Sequence, residues 1–530
     1  MRFFALLLGC LLFCQSLWAQ EKYWVYFSDK SITEQDVVAL SPAALQRRAA
    51  QGVPLDSKDY PVSTSYMDGV AVHASTTGHS SRWFNAQVAW LTDRQKAAVA
   101  ALPYVKSIKP VKGLARISAL EAITFCQENT NSDAHLTQLQ MIGADQLHQG
   151  GLKGEGVLIA VFDNGFRGVD TLDAFHQVFE QERMLPARDF VDGDEDVFAA
   201  CSHCRHGTWI FSILAAQTEN GFRGAAPQAK YVLLRTENDN SETPQEEDNW
   251  VAAAEYADSL GAAIFTTSLG YSNFDGSAHD YSRADLNGDI ATITRAADIA
   301  AQKGIVVINS AGNRGADGIT APADGDSVLA IGSVNACEDL SGFSSLGPSA
   351  SGQIKPDLAA MGEKTFILTP SGRLAQANGT SLSAPLVAGL AALVVQQYPD
   401  RPGWEIADAL RMTADQALFP DSRKGYGIPD GVRAIQYLAQ GSSTSSMLAT
   451  PNPASGAFRI YLPREIWSPS IELVDATGRA VSATVRNLSA RNYEVLPAVG
   501  LATGVYLVLV RDPVSKQIVY STKIVLQPAR

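Results

Sequence analysis

Beyond its first twenty residues, the 530-residue chain is expected to hold no charge-free apolar run of membrane-spanning length, since crossing a bilayer as a helix takes about 20 apolar residues. The mature protein is therefore expected to be soluble. Positive charge is also short: 42 Lys and Arg stand against 55 Asp and Glu, a formal net charge of -13. Nucleic-acid binders concentrate basic charge on one face, so this balance points away from nucleic-acid partners. No internal repeat is visible, which excludes solenoids and propellers. With 46% hydrophobic and 18% charged residues the composition is that of a globular protein with a sizeable core, and the length suggests several domains.

The chain has only six cysteines. Two of them, Cys10 and Cys14, fall in the opening stretch MRFFALLLGCLLFCQSLWAQ. Arg2, the apolar run Phe3 to Phe13 and the small residue Ala19 make that stretch a signal peptide, residues 1–19, and imply export. Cys126, Cys201, Cys204 and Cys337 remain. In an exported protein they are disulfide candidates, with their connectivity open.

Three blocks follow. Residues 20–125 read as a small α+β unit. KYWVYFS, NAQVAWL and YVKSIKPV are strand-like. SPAALQRRAAQG is a helix capped by Ser41, and TDRQKAAVAALP is a helix capped by Thr92 or Asp93. From about Gly151 apolar strands alternate with helices: VLIAVFD, HGTWIFSILAA, YVLLRTE, EEDNWVAAAEYADSLG, AIFTTSLG, GIVVINSAGN, SVLAIGSV and SLSAPLVAGLAALVVQQ. That alternation predicts a parallel sheet with helices on both faces, and such sheets carry their sites at the carboxyl ends of the strands. GSSTSS reads as a linker, 441–448, leading to a small all-β sandwich at 449–530, where FRIYL, IELVDATG, YEVLP and GVYLVLV alternate apolar and polar residues.

Three segments carry chemistry. Asp163 follows the apolar strand in AVFDNGF, His206 opens the apolar helix of HCRHGTWIFSILAA, and Ser381 opens that of NGTSLSAPLVAGLAALV. Each alone has a bland reading as a turn residue, a structural histidine or an N-cap. Together, Asp, His and Ser in that chain order follow the subtilisin order among the known triads. GTSLSAP, HGT and AVFDNGF, together with SLG (268–270), SAGN (310–313) and FSSLGP (343–348), resemble the subtilases from about Leu136 to Ile435. Asn164 and Phe211 depart from the usual family residues without removing a catalytic atom.

The resemblance implies a serine endopeptidase with a subtilisin-like α/β domain over 126–440. Ser381 would be the nucleophile, His206 the base, Asp163 its orienting partner and Asn313 an oxyanion donor. Ser268, Leu269 and Gly270, with Ser310, Ala311 and Gly312, would wall the substrate cleft. Residues 20–125 resemble a subtilase propeptide, an intramolecular inhibitor cut off between Ile117 and Asp133. PNPASG, LVDATGR, LATGVYLVLV and KIVL resemble the sorting domains of the type IX secretion system of Bacteroidetes. The implied product is a zymogen, exported through the periplasm and secreted or held on the outer cell surface. It would act as a monomer on protein or peptide substrates, with the type IX secretion machinery as a further partner.

No cofactor is required for that chemistry. ADLNGDI has the spacing of the start of a calcium loop but lacks the closing acidic ligand, so it reads as a polar turn. A zinc on Cys201, His203, Cys204 and His206 would occupy the nitrogen that the base needs, so no metal is expected there. The rival reading is a catalytically inactive subtilase-fold binding protein.

Overall fold

A computed structural model describes residues 20–32, 37–111, 124–125, 134–199, 204–238, 243–272, 280–417 and 419–439, and in the C-terminal part 447–450, 454–462, 466, 469–489, 492–498, 500–511, 513 and 516–527. The expected leader, most of the expected processing stretch between Ile117 and Asp133, and nearly all of the linker lie outside these residues.

The N-terminal unit is an antiparallel sheet of β1 (Glu21–Phe27), β2 (Thr76–Ser81), β3 (Ala86–Leu91) and β4 (Val105–Pro110), in the order β2-β3-β1-β4. Helices α1 (Pro42–Ala50), α2 (Thr64–His73) and α3 (Asp93–Ala100) accompany it. Ser41 caps α1 by accepting from the Ala44 N–H, and Thr92 with Gln95 forms a capping box on α3. α2 and β2 were not expected from the sequence. β2 is TTGHSS, an edge strand without apolar residues, and it owes its extension to pairing with β3 rather than to its own pattern.

The central unit is a seven-stranded sheet, every pairing of which is parallel. Its strands are β5 (Leu158–Asp163), β6 (Arg188–Asp189), β7 (Lys230–Arg235), β8 (Ile264–Thr267), β9 (Val306–Ser310), β10 (Leu329–Val334) and β11 (Leu358–Met361), in the order β11-β10-β9-β8-β5-β7-β6. β5, β8, β9, β10 and β11 are buried along their whole length. That explains the unbroken apolar runs, because both faces are covered.

One face packs into a core with α4 (His206–Ala215) and α7 (Thr380–Gln397). The other packs against α5 (Pro244–Leu260) and α6 (Thr292–Gln302). α7 is in fact long and apolar enough to cross a membrane by length and composition, contrary to the expectation of no such stretch. Every residue from Thr380 to Val395 is buried in the fold, which makes α7 a core helix.

The N-terminal unit sits on α5 and α6. Trp24, Trp83 and Phe84 share an apolar cluster with Trp250, Ala254 and Ala297. Trp24 Nε1 donates to Asp248 at 2.7 Å, and buried Glu255 accepts from the backbone N–H groups of Arg82 and Trp83, each at 3.0 Å. Gly261 ends α5 at φ +94°, and a Cβ there would lie 2.9 Å from Ala44 N, so both the turn and the close approach require glycine.

The C-terminal unit is two four-stranded sheets. Phe458, Ile460, Val495, Val508, Val510 and Ile524 fill the core between them. Tyr506, Val508 and Val510 are buried at alternate positions of one strand, the pattern of a sandwich.

Candidate active site

Asp163 is the last residue of β5 and is fully buried. Its Oδ1 accepts from the Asn164 N–H at 2.8 Å. His206 is the first residue of α4, and its Nδ1 lies 2.8 Å from Asp163 Oδ1 and 3.0 Å from Oδ2. A carboxylate at that distance accepts a hydrogen bond from Nδ1–H and fixes the proton there, which leaves Nε2 as the basic nitrogen. The imidazole is partly exposed while its partner is sealed.

Ser381 is the second residue of α7, directly after Gly379-Thr380. Two reciprocal bonds tie it to the end of β8: Ser268 Oγ donates to Ser381 O at 2.8 Å, and Ser381 Oγ donates to Ser268 O at 3.2 Å. Asn313 follows β9. Its Oδ1 accepts from the Thr380 N–H at 2.8 Å and from Thr380 Oγ1 at 2.9 Å. Two donors on one oxygen settle which way the amide faces, so its NH₂ group points elsewhere. Thr380 Oγ1 in turn accepts from the Gly312 N–H at 3.2 Å. Thr380 thus joins the start of α7 to the turn after β9. The sequence reading did not assign it this part, although it stands inside the quoted GTS. Asp163, Ser268 and Asn313 all lie at carboxyl ends of strands, where an open parallel sheet places its sites.

The expected cleft residues divide by exposure. Gly270 is exposed, and Leu269 and Gly312 are half-buried. Ser310 and Ala311 are buried, and Ala311 is engaged on both sides: its N–H donates to Ile331 O at 2.9 Å and its O accepts from Thr320 N at 3.3 Å. Gly312 has φ +107°, and a Cβ there would lie 2.8 Å from Ser345 Oγ and 3.2 Å from Thr320 Oγ1. Thr320 is buried beside both Gly270 and Gly312, and its hydroxyl has no hydrogen-bond partner among the described residues. ITAP carries no motif, so nothing in the sequence pointed to it.

The cysteines need one correction. Cys337, expected as a disulfide candidate, is a free thiol on an exposed turn, where its own N–H donates to Asn335 Oδ1 at 2.8 Å. Cys204 is disulfide-bonded and buried. Its partner sulfur, like Cys126, Cys201 and His203, lies outside the described residues. In ADLNGDI, Asp285 accepts from Ser282 N at 2.9 Å, and Asn287 Oδ1 accepts from the Asp289 N–H at 3.0 Å. Those side chains shape a turn. Among the described residues no group of three or more His, Cys, Asp or Glu is placed to hold a metal ion.

Comparison with known proteins places this geometry in context. The model of the subtilase family matches residues 154–428. That of the peptidase S8 propeptide domain of Bacteroidota matches 22–124, and that of the secretion system C-terminal sorting domain matches 450–527. A thermophilic serine proteinase of Bacillus sp. (strain AK1) is 30% identical over 284 residues, which is 53% of this chain and 62% of that protein. Subtilisin DY of Bacillus licheniformis is 27% identical over 281 residues, 52% of this chain and 90% of that protein. Among solved structures, MycP1 from Mycobacterium smegmatis matches with a TM-score of 0.48 at 22% identity, covering 62% of this chain and 90% of that one.

Proposed function

Because this chain belongs to the subtilase family of serine endopeptidases, with a propeptide domain before the peptidase domain and a secretion sorting domain after it, we propose that it hydrolyses peptide bonds through Ser381, His206 and Asp163 without a cofactor. The observation that carries the reading is the Asp163–His206 pair at 2.8 Å, at the carboxyl end of the sheet, as are Ser381 and Asn313.

Ser381 Oγ attacks the scissile carbonyl. A serine hydroxyl is a weak nucleophile, so it gives up its bond to Ser268 O and passes its proton to His206 Nε2. Asp163, already on Nδ1, holds the tautomer and stabilises the imidazolium that forms. His206 then protonates the leaving amine, and water hydrolyses the acyl-enzyme by the same route. The oxyanion is met by Asn313 Nδ2 and by the Ser381 N–H at the start of α7, where a helix N-terminus favours negative charge. Asn313 is pre-aimed, because Thr380 occupies its other amide atom. The backbone of Ser268 to Gly270 receives an extended peptide as an added strand.

The proposed divisions are a leader at 1–19, a propeptide at 20–125 that inhibits the enzyme until cut off, a peptidase domain at 126–440, a linker at 441–448 and a sorting domain at 449–530. The product is exported through the periplasm by the type IX machinery, to the medium or the cell surface, and acts as a monomer. A fluorophosphonate probe tests the reading. The processed protein is expected to be labelled at Ser381 and to cleave a peptide substrate, while Ser381→Ala does neither. Unlabelled processed protein would mean an inactive binding protein on the same fold.

A further inference from the structure

The strand beside Asp163 ends in a buried arginine. Arg235 is the last residue of β7 and is 3% exposed, and in the parallel register it stands opposite Asp163. A charge is costly to bury without partners, so its contacts identify its task. Arg235 Nη1 donates to Asp189 Oδ2 and to Asp192 Oδ2, each at 2.5 Å, while Nε donates to Asn164 O at 3.1 Å. Asp189 is buried at the end of β6. Its other oxygen accepts from the Val191 N–H at 2.7 Å and from the Asp192 N–H at 3.0 Å. The carboxylate that anchors Arg235 is therefore itself held in place.

These bonds converge on the backbone that leaves Asp163. Thr236, next after Arg235, donates its N–H to Asp163 O at 3.0 Å. The Arg235 guanidinium takes the following carbonyl, that of Asn164. Two successive carbonyls at the end of β5 are thus fixed by β7, one through its backbone and one through a side chain. The direction of the Asp163 carboxylate depends on them, because its Oδ1 accepts from the Asn164 N–H at 2.8 Å while it meets His206 Nδ1 at 2.8 Å. The flanking loops are stitched to the same place: Phe190 N–H donates to Arg235 O at 2.9 Å, and Phe166 N–H donates to Val197 O at 2.8 Å. A guanidinium can aim Nε at one partner and Nη1 at another from one rigid plane, which an ammonium cannot.

We propose that Arg235 is a positioning residue for the peptidase reaction: pinned by Asp189, its guanidinium fixes the Asn164 carbonyl and so keeps the Asp163 carboxylate aligned on His206 Nδ1. The proposal rests on the peptidase reading. Arg235 is buried, so it acts through Asp163 and not on the substrate. If the Arg235–Asp189 pair only stapled β6 to β7, losing it would cost stability and leave the turnover of folded enzyme unchanged. A positioning role lowers that turnover.

The test uses full chains with a site for an unrelated protease placed within 117–133, so that maturation does not depend on each variant's own activity. For each, kcat, KM, the pH dependence of kcat/KM and the thermal midpoint are measured, with kinetics at a temperature well below every midpoint. Arg235→Lys keeps the positive charge but not the fork. It is expected to lower kcat roughly 10-fold to 100-fold, the scale of a small misplacement of a catalytic group, with KM within about two-fold. The lower limb of its pH profile should move to lower pH, because a histidine less well paired with its carboxylate loses its hold on a proton. Asp189, Asp192 and Arg205 keep their charges in this variant, so the movement reports alignment. Asp189→Asn loosens the guanidinium from its other anchor and should lower kcat by a smaller factor. Asp192→Asn, at the exposed partner, should behave as the parent. If Arg235→Lys fails to fold, kcat of Asp189→Asn decides alone. Turnover within about three-fold of the parent in the deciding variant would overturn the proposal, even with a lowered midpoint, since that is the signature of a staple. An unmoved pH limb in Arg235→Lys would overturn it too. A parent that neither cleaves peptide nor reacts with a fluorophosphonate would instead overturn the peptidase reading.

Discussion

Asp258 offers the most direct test of how the propeptide is held. It is fully buried on α5 and accepts from Arg48 Nη2 at 2.9 and 2.7 Å, from Arg82 Nη2 at 2.6 Å and from Arg47 Nη2 at 3.3 Å. All three arginines belong to the N-terminal unit. Burial pushes the Asp258 carboxyl upward, but the guanidiniums of Arg48, Arg82 and Arg47 outweigh that and hold it below its usual value. Removing one partner from a buried ionic cluster typically costs about 3 to 5 kcal/mol, because the remaining charges stay buried and unpaired. Here part is recovered: Arg48 keeps Asp59 at 2.5 Å, and Arg82 keeps Glu255 O at 3.2 Å. The lower figure, about 3 kcal/mol, corresponds to roughly 10²-fold weaker binding. The assay places a site for an unrelated protease within 117–133 of a Ser381→Ala chain, cuts it, and follows retention of the N-terminal fragment on dilution and gel filtration. The N-terminal fragment should dissociate from the Asp258→Ala chain at about 10²-fold higher protein concentration than from the parent. Dissociation within about three-fold of the parent would refute the argument, since that is under 1 kcal/mol. The pH dependence has a definite sign. Asp258 regains an ordinary value once released, so its attraction is whole above that value and is lost as pH falls through the depressed bound value. Acid should therefore loosen the parent more than Asp258→Ala.

Other substitutions probe separate parts of the molecule. Asn313→Leu should lower kcat by about 10²-fold to 10³-fold with little change in KM, by loss of one oxyanion donor. A steady-state assay showing a drop under about three-fold would remove Asn313 from that role. Thr320→Val keeps the shape and deletes a buried hydroxyl that has no partner among the described residues, so chemical denaturation should show unchanged or slightly higher stability, by up to about 1 kcal/mol. A loss of that size would reveal a bond to the hydroxyl. Asp298 is pushed up to about 7 by burial, against the Ser327 N–H that its carboxylate accepts. Its folded pKa exceeds its unfolded one, so the folded state gives up stability as pH rises from about 4 to 7. Asp298→Asn should flatten that stretch of the melting-temperature profile, and an unchanged slope would show that Asp298 ionises without cost.

How much of this was legible follows from how local each cause is. A strand buried on both faces must be apolar throughout, so VLIAVFD announced β5 and, at its end, Asp163. A helix start that approaches other backbone closely needs glycine nearby, so HGT and GTS announced the helix starts at His206 and Ser381. The parallel sheet then brings these distant segments to one edge. What stayed hidden depends on contacts between segments far apart. TTGHSS is extended because β3 pairs with it, not because of its residues. Thr320 stayed hidden because it lies beside two glycines from the turns after different strands, and no local pattern encodes that. The four cysteines outside the leader were alike on paper. Cys337 stands on an exposed turn with its thiol free, whereas Cys204 is buried under Gly165 and bonded. The same reasoning separates the parts of the function. Bond-making chemistry demands particular atoms at particular element ends and can be read one segment at a time. Cleft shape and the grip between the N-terminal unit and α5 are properties of contact between segments, so they become legible only once the chain is folded.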